Sequence, residues 1–473
     1  MDSRVDKKIT AKIVKRFVIK AELVLLTPLV VGSGEKGMET DILIVKDENG
    51  YPYIPATSFV GVLRHWFEEK VGFGDKKNSE YFWGSKSSGV QSAFIVDDLY
   101  ITKEDADKKY PKILARDGVK INPLRGTAED KGKFSYELAT PGTTFSLSLE
   151  VIIREGYNGF EKIIATILDG LLNDKVRFGA MTNKGFGKIK IKNLEIEVFD
   201  YSSKDDVIHW LFGGKGQEIQ LKELGDPYPL KDDYLKITGN FLLQDSLIIR
   251  SYSPDINGPD SVHLQSFDEE GNLVSALPGT SIKGALRSRM EKILSTFGIN
   301  PFENEEIKRF LGYVASGDKV HKNAYKSALM VNESVIIKPV RKLQKRTKID
   351  RFTEGTVSGA LFDEEPVWTN PVRNETYVTL ETKLENLKEN DWRAGLLLLS
   401  LKDLWNADLP IGGEKAVGRG LLKGKSISVE SGNREIVFVE DAGNGLKITG
   451  DKEKLEEYVK GFVNFANGGA KNE

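Results

Sequence analysis

The peptide IPATSFVGVLR at residues 54–64 returns as LPGTSIKGALR at 277–287, and this repetition constrains the fold more than any other feature of the chain. In each copy apolar side chains recur four apart: Phe59, Leu63 and Phe67 in the first, Ile282, Leu286 and Met290 in the second. That period is one buried stripe on an α-helix. The hydroxyl residues Thr57 and Ser58, like Thr280 and Ser281, stand where an N-cap side chain would satisfy first-turn amides. Gly61 and Gly284 each cost a helix about 1 kcal/mol relative to alanine, which points to a close backbone approach there. A helix start with free amides, a hydroxyl and Lys283 or Arg287 nearby is also an anion site.

The repetition extends on both sides of the peptide, as a duplicated domain requires. Upstream, TPLVVGS at 27–33 parallels DSLIIRS at 245–251; downstream, SAFIVDD at 92–98 parallels SALMVNE at 327–333. Each half then carries a basic stretch, an apolar helix (FEKIIATILDGLL or WRAGLLLLSLKDLW) and a glycine loop before a strand. Gly179, Gly185 and Gly187 share their spacing with Gly412, Gly418 and Gly420. The expected organisation is a first domain over 1–211, a linker over 212–233, a second domain over 234–430 and a C-terminal extension over 431–473. Strands and helices mixed in this order predict an α+β fold, two tandem ferredoxin-like (RRM-like) domains, a sheet type that often binds single-stranded RNA.

Composition excludes several other classes. Among 473 residues there is no cysteine, which removes disulfides and thiol nucleophiles and fits a reducing cytosol, so a cytoplasmic location is expected. The apolar run LVLLTPLVVG is too short to span a membrane and lacks a cleavage pattern, so no membrane partner is expected. A formal charge of -2 means that any nucleic acid must be held by local basic patches. The four histidines, His65, His209, His263 and His321, are scattered without metal-ligand spacing. There is no phosphate-binding GxxxxGK[ST] loop and no GxSxG nucleophile elbow.

The ordered set GSGEKGMETDILIVKDENGYPYIPATSFVGVLR, a basic segment such as KIDRFTEGTVSGALFDEEPV and a terminal glycine loop, present twice, resembles the backbone subunits of type III CRISPR effector complexes, in the repeat-associated mysterious protein (RAMP) superfamily. The resemblance covers residues 17–195 and again 234–426. It implies two backbone subunits fused in one chain, each with a β-hairpin thumb, lying along a guide RNA with a target RNA and other RAMP-type subunits as partners. Carried onto this sequence, guide phosphates would be held by Ser58 and Arg64 and by Ser281, Lys283 and Arg287. Val60 stands where the second copy has Lys283. The glycine loops would bring backbone amides to RNA at Gly185, Gly187, Gly418 and Gly420, with Lys184 and Arg419 beside them. The second thumb adds a basic run that includes Arg346 and Arg351.

Active members of that family cut target RNA with an aspartate in the loop before the hairpin, and the resemblance assigns this place to Asp41, six residues before Asp47. A carboxylate there would position a 2′-hydroxyl or a loosely bound divalent ion, Mg2+ by expectation. In the second copy the same count back from Asp268 lands on Val262, while Asp260 lies two residues further on the same strand side and Asp255 lies higher in the loop. Asp260 is the expected second acid. The rival expectations are a noncatalytic scaffold that only holds RNA and a guide-processing endonuclease of the same superfamily.

Overall fold

Buried Phe17, Ile19, Ala21 and Leu23 alternate along Ile13–Leu25 and make it a strand with one face in a core. It pairs antiparallel with Thr144–Arg154 on one side and Ile189–Asp200 on the other, and Phe94–Val96 extends the sheet beyond Thr144–Arg154. The helices Ala56–Lys70 and Phe160–Leu172 bury their stripes in the same core. The second half repeats this plan. Tyr234–Leu243 lies between Tyr377–Glu385 and Leu422–Ser431, Leu329–Val331 pairs with Tyr377–Glu385, and the helices Gly279–Thr296 and Trp392–Trp405 fill a second core. Strand, helix, strand, strand, helix, strand with antiparallel neighbours is the order of a ferredoxin-like unit. The computed structural model describes residues 12–469 apart from 39, 73–75, 88, 123–124, 158, 232, 254, 256, 315–323, 371, 373–375, 433 and 444. His321 lies outside the described residues.

Each unit carries an inserted hairpin between its second and third sheet strands. The first thumb is Ile113–Ile121 with Ala128–Ala139, and the second is Gln344–Ile349 with Thr356–Glu365. Both repeated peptides form helices and bury the expected stripes, but their N-caps differ from the expectation. The caps are Pro55 and Pro278, neither with a side-chain bond, and the hydroxyl residues fall inside the first turn. Proline suits this place because its fixed φ presents a carbonyl to the helix; Ser58 and Ser281 donate their amides to Pro55 and Pro278 at 2.9 and 3.0 Å.

The described residues between 212 and 233 pack on the first unit. Leu224 is buried against the first core, and the Tyr228 amide donates to Thr166 Oγ1 at 2.9 Å on the helix Phe160–Leu172. Beyond the second unit, Arg434–Asp441 and Leu446–Gly450 widen its sheet. The final helix, Lys452–Gly469, lies on Trp392–Trp405, where Gly395 leaves room for the Tyr458 carbonyl and Trp392 stacks on Phe465 at 4.1 Å. No helix among the described residues is long and apolar enough to cross a membrane.

Candidate nucleic-acid interface

Asp41 lies where the loop after the first central strand meets the thumb. Its Oδ2 accepts the Ser135 amide at 2.8 Å and the Ser135 hydroxyl at 3.3 Å. The next residue, Ile42, pairs in parallel with Tyr136, and Ile44 bridges Gly32. Asp260 repeats the arrangement: its Oδ2 accepts the Asp363 amide at 2.9 Å, Ser261 pairs in parallel with Glu364, and His263 pairs with Arg250. Both aspartates are exposed. The register therefore makes Asp260 the counterpart of Asp41, and Val262, which is buried, the counterpart of Leu43.

The reference turns also match. Asp47 Oδ1 accepts the amides of Asn49 and Tyr51 at 2.9 and 2.8 Å; Asp268 Oδ1 accepts those of Glu270 and Asn272 at 3.1 and 2.8 Å. The second loop holds two more residues between acid and turn, which is why a count from Asp268 misses the acid. Asp255 folds on itself instead, with its Oδ1 on the Asn257 amide at 3.0 Å.

Around the two acids the charges differ. Asp117 stands across the first thumb from Ser135, whereas Lys345 stands across the second from Asp363. Lys133 lies 3.4 Å from Asp117 and donates to the Tyr252 hydroxyl at 2.9 Å, so the first thumb touches the second unit's acid loop. His263 is buried. Its Nδ1 accepts the Ile249 amide at 3.2 Å, so Nε2 carries the proton that bonds the Ala276 carbonyl at 3.0 Å. Burial pushes its pKa down to about 4, which leaves a neutral ring that ties strands together. Among the described residues no three of His, Cys, Asp and Glu come together as a metal set.

The basic candidates separate into exposed and enclosed groups. Arg64 is exposed and paired with Glu68 at 3.0 Å, and Ser58 and Ser281 are half-buried on their first turns. Arg351 is exposed at the turn of the second thumb, beside Phe352, which is 98% exposed, with Lys348 also exposed on that hairpin. Arg287 is held by Glu291 at 2.7 Å and by the carbonyls of Leu311 and Gly312. Arg346 bonds Glu414 at 2.8 Å. Arg419 is 2% exposed, between Glu414 at 2.5 Å and the Gln344 amide oxygen. Arg419 was expected beside RNA; burial turns it instead into a strut between the glycine loop and the thumb.

Lys283 is a second correction. Its ammonium is buried and donates to the carbonyls of Leu329 at 2.6 Å and Asn183 at 3.2 Å, so it joins the second unit's helix to the first unit's glycine loop. Burial, with Lys184, Arg287 and Lys326 nearby, pulls its pKa down to about 7. The glycines explain why the loop comes so near. A Cβ on Gly185 would lie 2.3 Å from the Glu333 amide, and one on Gly279 would lie 2.2 Å from the Lys184 carbonyl. Gly187 and Gly420 make one tight turn twice, since a Cβ on either would meet the carbonyl of Phe178 or Ile411 at 1.9 Å. At these three loop glycines the close neighbour is protein, where RNA was expected; only Gly418 of the four faces open space. Lys184 is half-buried at the same junction, and burial lowers its pKa.

The junction is completed by Arg116, which bonds both Glu333 carboxylate oxygens at 2.5 and 3.0 Å with side chains 3% and 6% exposed. Sequence reading missed Arg116, Glu333, Ser135 and Asp363. Each is an ordinary strand or loop polar residue whose partner is distant in the chain, so no local pattern marks it.

Two α+β units with inserted hairpins lie in tandem along the chain. The family model described as the RAMP superfamily matches residues 22–190 and 211–423, and the chain belongs to this superfamily, with two of its domains in tandem. No curated protein matches the chain. Membership makes it a relative of CRISPR-associated RNA-binding subunits.

Proposed function

We propose that the chain is a double backbone subunit of a type III CRISPR ribonucleoprotein, which holds guide RNA along both units and cuts the paired target RNA once at each acid loop. The observation that carries this reading is the shared anchorage of Asp41 and Asp260, each an exposed carboxylate with Oδ2 tied to a thumb strand amide and the following residue paired in parallel to that strand. A thumb that displaces one nucleotide brings its phosphate beside an acid fixed to the thumb itself.

The chemistry asked of the acid is modest. The carboxylate takes the 2′-hydroxyl proton, the 2′-oxygen bonds to the adjacent phosphorus, and the P–O5′ bond breaks, giving a 2′,3′-cyclic phosphate and a 5′-hydroxyl once water protonates the leaving oxygen. Holding the attacking oxygen in line supplies on the order of 7 kcal/mol or more of the barrier reduction. A divalent ion, Mg2+ by expectation, would contribute charge neutralisation at the phosphate, with a chelator titration of the cutting rate as its test. Guide phosphates fall to Ser58, Arg64, Ser281 and the exposed thumb cations, including Arg351.

The test is an Asp41→Ala complex assembled on guide RNA. It is expected to bind guide and target as the wild type does and to lose the cut assigned to the first unit. Unchanged cutting would support a purely RNA-holding scaffold.

A further inference from the structure

Tyr252 belongs to the loop that carries the second unit's acid, yet it reaches the first unit. Its hydroxyl accepts from Lys133 on the first thumb at 2.9 Å, and the same ammonium lies 4.7 Å from the ring centre. Lys133 is two residues from Ser135 on one thumb strand, and Asp117, 3.4 Å from the ammonium, stands across from Ser135 on the other. Residues two apart on a strand point to one face. Lys133 and Asp117 thus share the face on which the Ser135 hydroxyl bonds Asp41 at 3.3 Å. An aromatic ring of the second unit is thereby set beside the acid of the first.

Strength does not account for the contact. Arg116 and Glu333, which join the units, have side chains 3% and 6% exposed, whereas Tyr252 is 69% exposed and the Lys133 side chain 53%. Contacts this open to water contribute little to stability. What a bond at the tip of the side chain does achieve is direction: it sets where the ring stands and leaves ring surface uncovered. The ring is also particular to the second loop. TPLVVGS and DSLIIRS align Ser33 with Ser251, so Gly34 takes the place of Tyr252 in the first unit. A nucleotide displaced by the first thumb meets an open ring and an ammonium together, the groups by which proteins hold unpaired nucleotides.

We infer that Tyr252 is the stacking surface for the target base that the first thumb displaces, and that it makes the first cut favour a purine at that base. A purine covers more of the ring than a pyrimidine, and stacking strength sets preferences of this kind. The kind of ligand rests on the backbone-subunit reading.

The probe is a set of target RNAs, each with 2-aminopurine at one nucleotide, on the guide-loaded full chain. At the nucleotide displaced by the first thumb, the wild type is expected to quench the fluorescence by stacking. Tyr252→Ala is expected to restore the emission there, and Tyr252→Phe, which keeps the ring and loses the hydroxyl, is expected to keep most of the quenching. The rate of the first cut relative to the second is expected to fall roughly tenfold or more in Tyr252→Ala, the worth of one base–aromatic stack. An abasic site at that nucleotide is expected to remove the difference between wild type and variant. With a purine there the wild type is expected to make the first cut several-fold faster than with a pyrimidine, a preference that Tyr252→Ala abolishes. Quenching that survives Tyr252→Ala, emission in Tyr252→Phe equal to that in Tyr252→Ala, or a rate ratio unchanged by Tyr252→Ala would overturn the inference. If the wild type does not cut at all while quenching still depends on the ring, the cutting reading fails and the stacking surface stands.

Discussion

The bases of the two thumbs began as the same structure and now hold different things. In the first, Arg116 reaches across the junction to Glu333 of the second unit. In the second, the matching place is Gln344, and the thumb is bonded to its own glycine turn through Arg419, Glu414, Arg346, Arg250 and buried Glu364. The backbone plan survived duplication, including the acid anchorage, while the charges were reassigned. One thumb base joins units and the other braces itself. Cationic residues that look alike in sequence thus serve protein at these bases and are exposed nearer the thumb turn.

The largest effect that sharpens this contrast is on stability. Arg116→Met leaves Glu333 buried without its partner and is expected to cost about 3–5 kcal/mol, read as a fall in the urea midpoint at unchanged slope. Gln344→Met, at the matching place, removes one acceptor from Arg419 and is expected to cost about 1–3 kcal/mol. Equal losses would erase the distinction between a joining and a bracing thumb base.

A smaller effect is pH-dependent. Lys283 has a folded pKa near 7 against an ordinary 10.5, so between these values the unfolded chain binds the extra proton and stability rises with pH. Denaturant melts from pH 7 to 10 are expected to show this rise in the wild type and a flatter profile in Lys283→Met. The same rise in both proteins would mean that the ammonium is not enclosed at the junction.

The smallest effect concerns RNA. Each phosphate contact contributes about 0.7 to the slope of log affinity against log salt, so Arg351→Ala and Lys348→Ala are each expected to lower the slope of guide binding by about that amount. Lys402→Ala, on the helix Trp392–Trp405 away from the thumb, is expected to leave it unchanged. A slope insensitive to both thumb variants would remove the second thumb from the RNA surface.

The duplicated plan was legible because periodicity and glycine spacing are local. Phe59, Leu63 and Phe67, with Ile282, Leu286 and Met290, all enter their cores. Asp260 was legible in part, as the nearest carboxylate on the strand side of the counted position Val262, but its equivalence to Asp41 depends on pairing with a thumb strand far along the chain. Lys283 and Arg419 were misread for one physical reason: a basic residue near a glycine turn reads the same in sequence whether RNA or a neighbouring carbonyl fills the space before it. Pro55 and Pro278 were passed over because the adjacent hydroxyls offered a more familiar cap.

The most direct test of two equivalent acids is the cut pattern of one labelled target on the assembled complex with magnesium, comparing Asp260→Ala with Asp255→Ala. Two cuts one thumb interval apart are expected in the wild type. Asp260→Ala is expected to lose one by roughly a hundredfold or more, and Asp255→Ala to keep both. A full pattern in Asp260→Ala, or loss of a cut in Asp255→Ala, would contradict the equivalence of Asp41 and Asp260.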